Sequence, residues 1–225
     1  MPRHPVFTDA LLDDALGAPA ARPPGDPGPS PRWLHPTLLE ALTRSPAWSP
    51  LATAGAWLAA IAWLTPAAAT SPAAACGRAL AGALAWTFVE YALHRWVFHF
   101  RPGGDVGRVV TWLLHRHHHH HPGARDRLAA TPPQALGLLI PVSAIAAWAD
   151  PRGWTWFAAG LGLAWLVYEG LHWSFHHRAP RTRLGRWLRR HHLHHHHVDD
   201  QRAFGISSPL WDLVLGTLPQ RAPRR

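Results

Sequence analysis

"GWTWFAAGLGLAWLVYEGLHWSFHHRAP", Gly153 to Pro180, passes without a break from an apolar run into three histidines. Its first nineteen residues carry one charge, Glu169, and a bilayer crossing takes about 20 residues. His172, His176 and His177 follow at once, in an HxxxHH spacing. One continuous helix would therefore cross an apolar layer and present imidazoles at its end.

The pattern recurs along the chain. Three more apolar stretches occupy residues 49–69, 72–93 and 132–149, the last interrupted by Pro141. They fall into two pairs, joined by the short turns "TPAAATSP" and "ADPRG". Buried helices of a soluble bundle would share this composition, but the inner turns of three of the four stretches carry at most one charge, which favours a bilayer. The loop 94–131 and the tail 178–225 hold most of the arginines, whereas the two short turns hold only Arg152. Excess Arg marks the cytoplasmic side, so both turns are expected outside and every histidine-rich segment inside. The fold expected is an all-α integral membrane protein. About four transmembrane helices form two hairpins, with a cytoplasmic helical cap.

Composition narrows the chemistry. All 22 basic residues are Arg, and the formal charge of +9 suits nucleic acid or an anionic membrane equally. The apolar stretches select the membrane and exclude nucleic acid as partner. A lone cysteine, Cys76, rules out disulfide frameworks and Cys-based zinc sites, so any metal must be held by imidazole. Residues 1–32, with Asp9, Asp13 and Asp14 and then "GAPAARPPGDPGPSPR", read as a flexible leader and not as a secretory signal. Residues 33–220 are expected to form one membrane domain, followed by a basic tail at 221–225.

Nineteen histidines are present, and four groups of them have ligand-like spacing. "LHRWVFHF" supplies His94 and His99, and "LLHRHHHHHP" supplies His115, His118 and His119. "LHWSFHHRAP" supplies His172, His176 and His177, and "LRRHHLHHHH" supplies His192, His195 and His196. On a helix, positions i, i+3 and i+4 share about a quarter-turn of surface. His94 and His99 lie about 140° apart on a regular helix, so they are expected to serve different ions or to flank a helix end. A tetrahedral zinc takes four ligands; eleven spaced imidazoles exceed that and imply two ions, with one or two rings standing behind the ligands. Neutral imidazole suits Fe, Zn, Cu and Ni alike. His4, His35, His117, His120, His121, His191, His194 and His197 have no place in the spacing. Glu90 lies four residues before His94, and Glu169 three before His172. Each is a candidate to orient a ligand ring through its free N–H, or to pair with an arginine.

The order HxxxxH, HxxHH, HxxxHH, HxxHH resembles the fatty acid hydroxylase/sterol desaturase superfamily, and within it most closely the fatty acid 2-hydroxylases. The second motif of that family reads LLHGxHHxxPxDxxRLxxPP. Pro122, Arg127 and Leu128 fall in register with it and the pair Pro132, Pro133 follows one residue later than its PP, while Ala124 stands at its acidic position with Asp126 nearby. "FGISSPLWDLVLGT" is similar to the family's terminal signature, through Trp211, Asp212, Gly216 and Thr217. The likeness spans about residues 85–218. It implies a membrane di-iron oxygenase with an all-histidine site, in which His115, His118 and His119 match ligand positions and the eleven spaced histidines are the candidate metal-site residues, with O2 as co-substrate and zinc able to replace iron in purified protein. The implied reaction is 2-hydroxylation of a lipid acyl chain. A sterol, hopanoid or carotenoid substrate, or desaturation, is the alternative within the superfamily. The fused cytochrome b5 domain of eukaryotic relatives has no counterpart in the sequence, so electrons are expected from an external donor such as cytochrome b5 or ferredoxin. A membrane zinc protein is the rival of another class. No HExxH is present, and a metal carrier would place histidines within its spans.

Overall fold

A computed structural model describes residues 4–17, 30–65 and 70–220. Among these the chain is helical, and the only strand-like feature is an isolated antiparallel bridge between Phe7 and Leu34. Two short helices, α1 (Asp9–Leu16) and α2 (Thr37–Leu42), precede the long α3 (Ser49–Leu64) and α4 (Pro72–Ala92). A π-helical turn, Leu93–Phe98, extends α4. Helix α5 (Asp105–Thr111) likewise runs through a π-helical turn, Trp112–Arg116, into α6 (His117–His120). The second long pair is α7 (Pro132–Ala149) and α8 (Trp154–His177), followed by α9 (Arg183–His197) and α10 (Leu210–Val214).

The starts of the long helices follow from their end residues. Ser71 accepts from the Ala74 amide at 3.3 Å with Pro72 in the first turn, and the Gln134 side chain accepts from the Thr131 amide at 2.8 Å. These contacts satisfy backbone groups that a helix start leaves orphaned. Helix α7 runs through Pro141 without a break, so the interruption expected there does not divide it.

The long helices share one core, formed by Ala54, Trp57, Ile61, Trp86, Ala135, Leu139, Ala158, Leu161 and Trp165. Helices α4 and α8 approach closely because glycines face the contact. A Cβ on Gly82 would lie 2.0 Å from the Phe157 carbonyl, and one on Gly160 would lie 1.9 Å from that of Ala79. Helix α3 joins them through the Trp57 indole, which donates to the Ala158 carbonyl at 2.9 Å. At the end opposite the histidines, Arg78 and Asp150 pair at 2.7 Å. Gly160→Val should therefore destabilise by about 1–3 kcal/mol or more through overpacking, read as a lower unfolding midpoint in detergent. Gly55→Ala, with nothing within 4 Å of the added carbon, should leave that midpoint unchanged or raise it.

The outer faces of these helices are apolar. Leu51, Trp63 and Leu64 on α3, Leu80 and Leu84 on α4, Ile140, Ile145 and Trp148 on α7, and Leu163 and Val167 on α8 are all exposed. Among the described residues only α7 is both long and apolar enough to cross a membrane by itself. Of its residues only Ala135, Leu139 and Ser143 are buried, unlike the core helix of a soluble protein. Helix α3 is apolar but has 16 residues, and α4 and α8 carry Arg78, Glu90, Glu169 and histidines that dilute their hydropathy.

Part of the span read as a flexible leader is packed. Thr8 caps α1, and Leu11 and Ala15 pack with Trp33, Leu34, Val109 and Trp112. The signal was an i, i+4 apolar pair inside an acidic segment, which the prolines that follow overshadow. Residues 18–29 of that span, and the basic tail at 221–225, lie outside the described residues.

Candidate metal centre

Ten of the eleven spaced histidines converge in two groups. One comprises His94, His99, His115, His119 and His195; the other comprises His118, His172, His176, His192 and His196. Within each group one ring nitrogen from every residue lies within 4.8 Å of the others. The groups adjoin: the rings of His119 and His196, one from each, stack with centroids 4.3 Å apart.

Helix geometry explains the sorting. Successive helical residues point about 100° apart, so the adjacent pairs His118/His119 and His195/His196 straddle the two groups. His94 and His99 join the same group, contrary to the expectation from a regular helix. The turn between them is π-helical, with the His99 amide bonded to the His94 carbonyl at 3.2 Å. Bonding from i to i+5 brings residues five apart onto one face. His177 stays outside both groups, half-buried, its ring 4.8 Å from that of Trp173.

The donor set fits metal ions. His94 Nδ1 lies 2.6 Å from the Phe204 carbonyl, and His195 Nδ1 lies 2.7 Å from that of Arg202. A carbonyl only accepts, so Nδ1 must carry the proton and Nε2 is left as a lone pair. His94 Nε2 is buried without a hydrogen-bond partner. Four pairs of Nε2 atoms face each other: His115 and His119 at 3.0 Å, His118 and His172 at 2.9 Å, His176 and His192 at 2.7 Å, and His99 and His195 at 2.9 Å. Facing nitrogens at such distances need a proton or a cation beside them.

Protons are disfavoured there. Burial, reinforced by neighbouring imidazoles, holds His94, His115, His118, His119, His192 and His196 well below the usual imidazole range. Burial likewise pushes His99 down to about 3 and His195 down to about 4. The unfolded chain takes up protons on these rings near pH 6.5 while the folded chain does not, so stability is full above that value and falls as pH drops below it. Metal-free protein should show its unfolding midpoint decline steadily between about pH 7 and 5. A flat profile would contradict buried neutral imidazoles.

The carboxylates occupy other posts than the sequence suggests. Glu90 accepts from the amides of Ile206 and Ser207 and from the Ser207 hydroxyl, and Glu169 accepts from the Ala130 amide at 3.2 Å. The Glu90 bonds thus run to backbone and hydroxyl groups and those of Glu169 to a backbone amide and the Trp165 indole; among the described residues neither bonds a ligand ring or an arginine. Two histidines set aside as surplus are anchors. His117 is buried between the carbonyls of Trp112 and Arg127 at 3.0 and 2.8 Å. His191 meets the buried Asp212 at 3.0 Å. Spacing carried no signal for either; Asp212 lay within the terminal signature.

Two openings reach the histidines. A cavity of about 300 Å³, walled by Leu93, Val97, Phe98, Leu113, Leu114, Leu128, Leu138 and Trp165, ends at His115, His118 and His172. A wider polar pocket of about 560 Å³ touches His99, His119, His195 and His196, and is rimmed by Arg101, Arg116, Asp199 and Asp200.

Helices that end in two adjoining all-imidazole groups, both reached by a largely apolar cavity, define a class of helical histidine-rich protein whose rings could hold metal ions. The chain belongs to the fatty acid hydroxylase family, whose model matches residues 79–217, a span holding all ten clustered histidines. It is 36% identical over 146 residues to a dihydroceramide fatty acyl 2-hydroxylase of Arabidopsis thaliana, an alignment covering 64% of this chain and 62% of that protein. To the fatty acid 2-hydroxylase of Homo sapiens it is 31% identical over 153 residues, covering 65% and 41%. The chain thus spans less than two thirds of these relatives. Among solved structures, the hydroxylase domain of full-length Scs7p superposes with a TM-score of 0.77 at 29% identity, covering 95% of this chain and 80% of that one.

Proposed function

We propose that this chain is a membrane di-iron oxygenase that hydroxylates a lipid acyl chain at C2, using O2 and electrons from a separate donor. The observation that carries this reading is the apolar cavity ending on imidazoles of both groups. His94, His99, His115, His119 and His195 would hold one iron, and His118, His172, His176, His192 and His196 the other. Five nitrogens per ion exceed the four that tetrahedral zinc takes, and imidazole suits iron. Bound iron would supply O2 reduction and the cleavage of a strong C–H bond.

The chain's own residues do the rest. Leucine, valine and tryptophan side chains in the cavity exclude water and hold an extended acyl segment, and its depth fixes which carbon lies beside His115, His118 and His172. The polar pocket on other members of both groups offers an aqueous approach kept apart from the lipid. The outward apolar faces of α3, α4, α7 and α8 support burial of all four in the bilayer as two hairpins. The arginine-rich segments that carry the histidine groups support a cytoplasmic face for them. A chain from the bilayer would enter the cavity sideways, between α4 and α7.

The test is mass spectrometry of fatty acids from cells expressing the chain with a suitable electron donor. A 2-hydroxy acid should appear with the intact chain and vanish in a His172→Ala, His176→Ala double variant. No new hydroxy acid despite stable membrane expression would overturn the acyl assignment.

A further inference from the structure

Beyond the ten clustered histidines, one buried acid connects to the first group by an unusual route. Asp212 on α10 is fully buried and accepts four hydrogen bonds. Its Oδ1 takes the Phe204 amide at 2.9 Å and the Thr217 hydroxyl at 2.7 Å; its Oδ2 takes the Gly205 amide at 2.8 Å and His191 Nε2 at 3.0 Å. The Gly205 N–H belongs to the same peptide group as the Phe204 carbonyl, and that carbonyl faces His94 Nδ1 at 2.6 Å. Carboxylate, peptide and imidazole therefore lie in line.

We propose that Asp212 is a positioning residue that sets the orientation and donor strength of His94 through the intervening 204–205 peptide. A carboxylate on the N–H side of an amide polarises it and makes its carbonyl a better acceptor. The carbonyl then holds the proton on Nδ1 and strengthens Nε2 as a donor, as carboxylates do when they touch a ligand histidine directly. The backbone is shaped for this. Ala203 has φ +59°, a left-handed conformation unfavourable for a residue with a Cβ. It sits between Arg202 and Phe204, whose carbonyls meet His195 and His94. The Ala203 amide is held by the Thr217 carbonyl at 2.8 Å, and the amides of Ile206 and Ser207 are held by Glu90. In the second group no ring has such an arrangement: His192 Nδ1 and both nitrogens of His196 are buried without partners. The two groups therefore differ in their support: the path from Asp212 through the 204–205 peptide reaches His94 of the first group, while its bond to His191 anchors α9, which serves both.

This inference rests on the dimetal reading, and its test separates the two. Full-length protein in detergent is stripped of metal and titrated with Co2+, following the visible absorption of the bound ion and the number of ions per chain. Wild type should bind two. Asp212→Asn should bind one ion as wild type does and the other about 10–100-fold more weakly, with the absorption of only one ion altered. Thr217→Val keeps the carboxylate and its link to Gly205, and should cause a smaller loss at that same ion. If both ions weaken equally in either variant, the role is merely structural and the proposal is overturned. Wild-type binding at both ions in Asp212→Asn overturns it as well, while the dimetal reading stands. Fewer than two ions in wild type would overturn both.

Discussion

His176→Ala should abolish hydroxylation and leave one metal ion per chain, whereas His177→Ala should retain two ions and most of the activity. The two residues are neighbours at the end of α8 with the same side chain, so composition and membrane insertion are matched. His176 Nε2 sits 2.7 Å from His192 Nε2 within the second group, and His177 packs on Trp173 outside both. Removing His176 takes one of five nitrogens from an ion and leaves a cavity among the remaining rings. Metal content by elemental analysis, alongside product formation, reads the difference. Equal losses in both variants would place His177 among the ligands and contradict the sorting by helix face.

Arg127→Met should cost about 1.5–3 kcal/mol, the worth of a hydrogen bond to a charged group, because it removes one of the two arginines on the buried Glu40 and leaves Arg44, at 2.8 Å, as the other. The Arg127 guanidinium meets Glu40 Oε1 at 2.7 Å, with side chains 1% and 9% exposed. It also donates to the Pro31 carbonyl at 3.1 Å and lies 3.6 Å over the Trp33 ring. Glu40 in turn holds the amides of Trp33 and Leu34, each at 3.1 Å. Arg127 thus ties the segment 30–40 to the chain that walls the cavity, together with Arg44, which pairs with Asp126 and donates to the Ser30 carbonyl at 3.0 Å. The expected readout is a much lower unfolding midpoint and early protease cleavage near residues 30–45. The paired variant Glu40→Met, Arg127→Met should lose more than the single one, since the buried amides of Trp33 and Leu34 are then left without their acceptor. If Arg127→Met unfolds like wild type, the pair contributes nothing net and the segment is held by its apolar contacts.

The fold and the metal groups were legible to different depths. Four apolar stretches and the spacing of His115, His118 and His119 mark helices and an imidazole face, because both depend on local periodicity. The two π-helical turns were not legible: nothing in "LHRWVF" announces bonding from i to i+5, so His94 and His99 looked divergent. Glu90 and Glu169 were misjudged for a similar reason. Their partners come from residues 206–207 and from Ala130, contacts that no local spacing encodes. The packing of α1 was hidden by the proline-rich residues that follow it.

The adjacent histidines of α6 and α9 have a consequence for how the centre can vary. Both helices contribute neighbouring residues to different groups, so the gap between ions held there would be templated by one backbone step, about 1.5 Å of rise and 100° of turn. Side-chain replacements can empty a position without changing that gap. Inserting one residue before His195 would instead turn His195 to the second group's side and His196 to the direction His197 now takes, outside both groups. Substitutions should therefore be tolerated in proportion to the ligands they spare, while single-residue insertions or deletions in these two helices should be lethal to the centre wherever they fall.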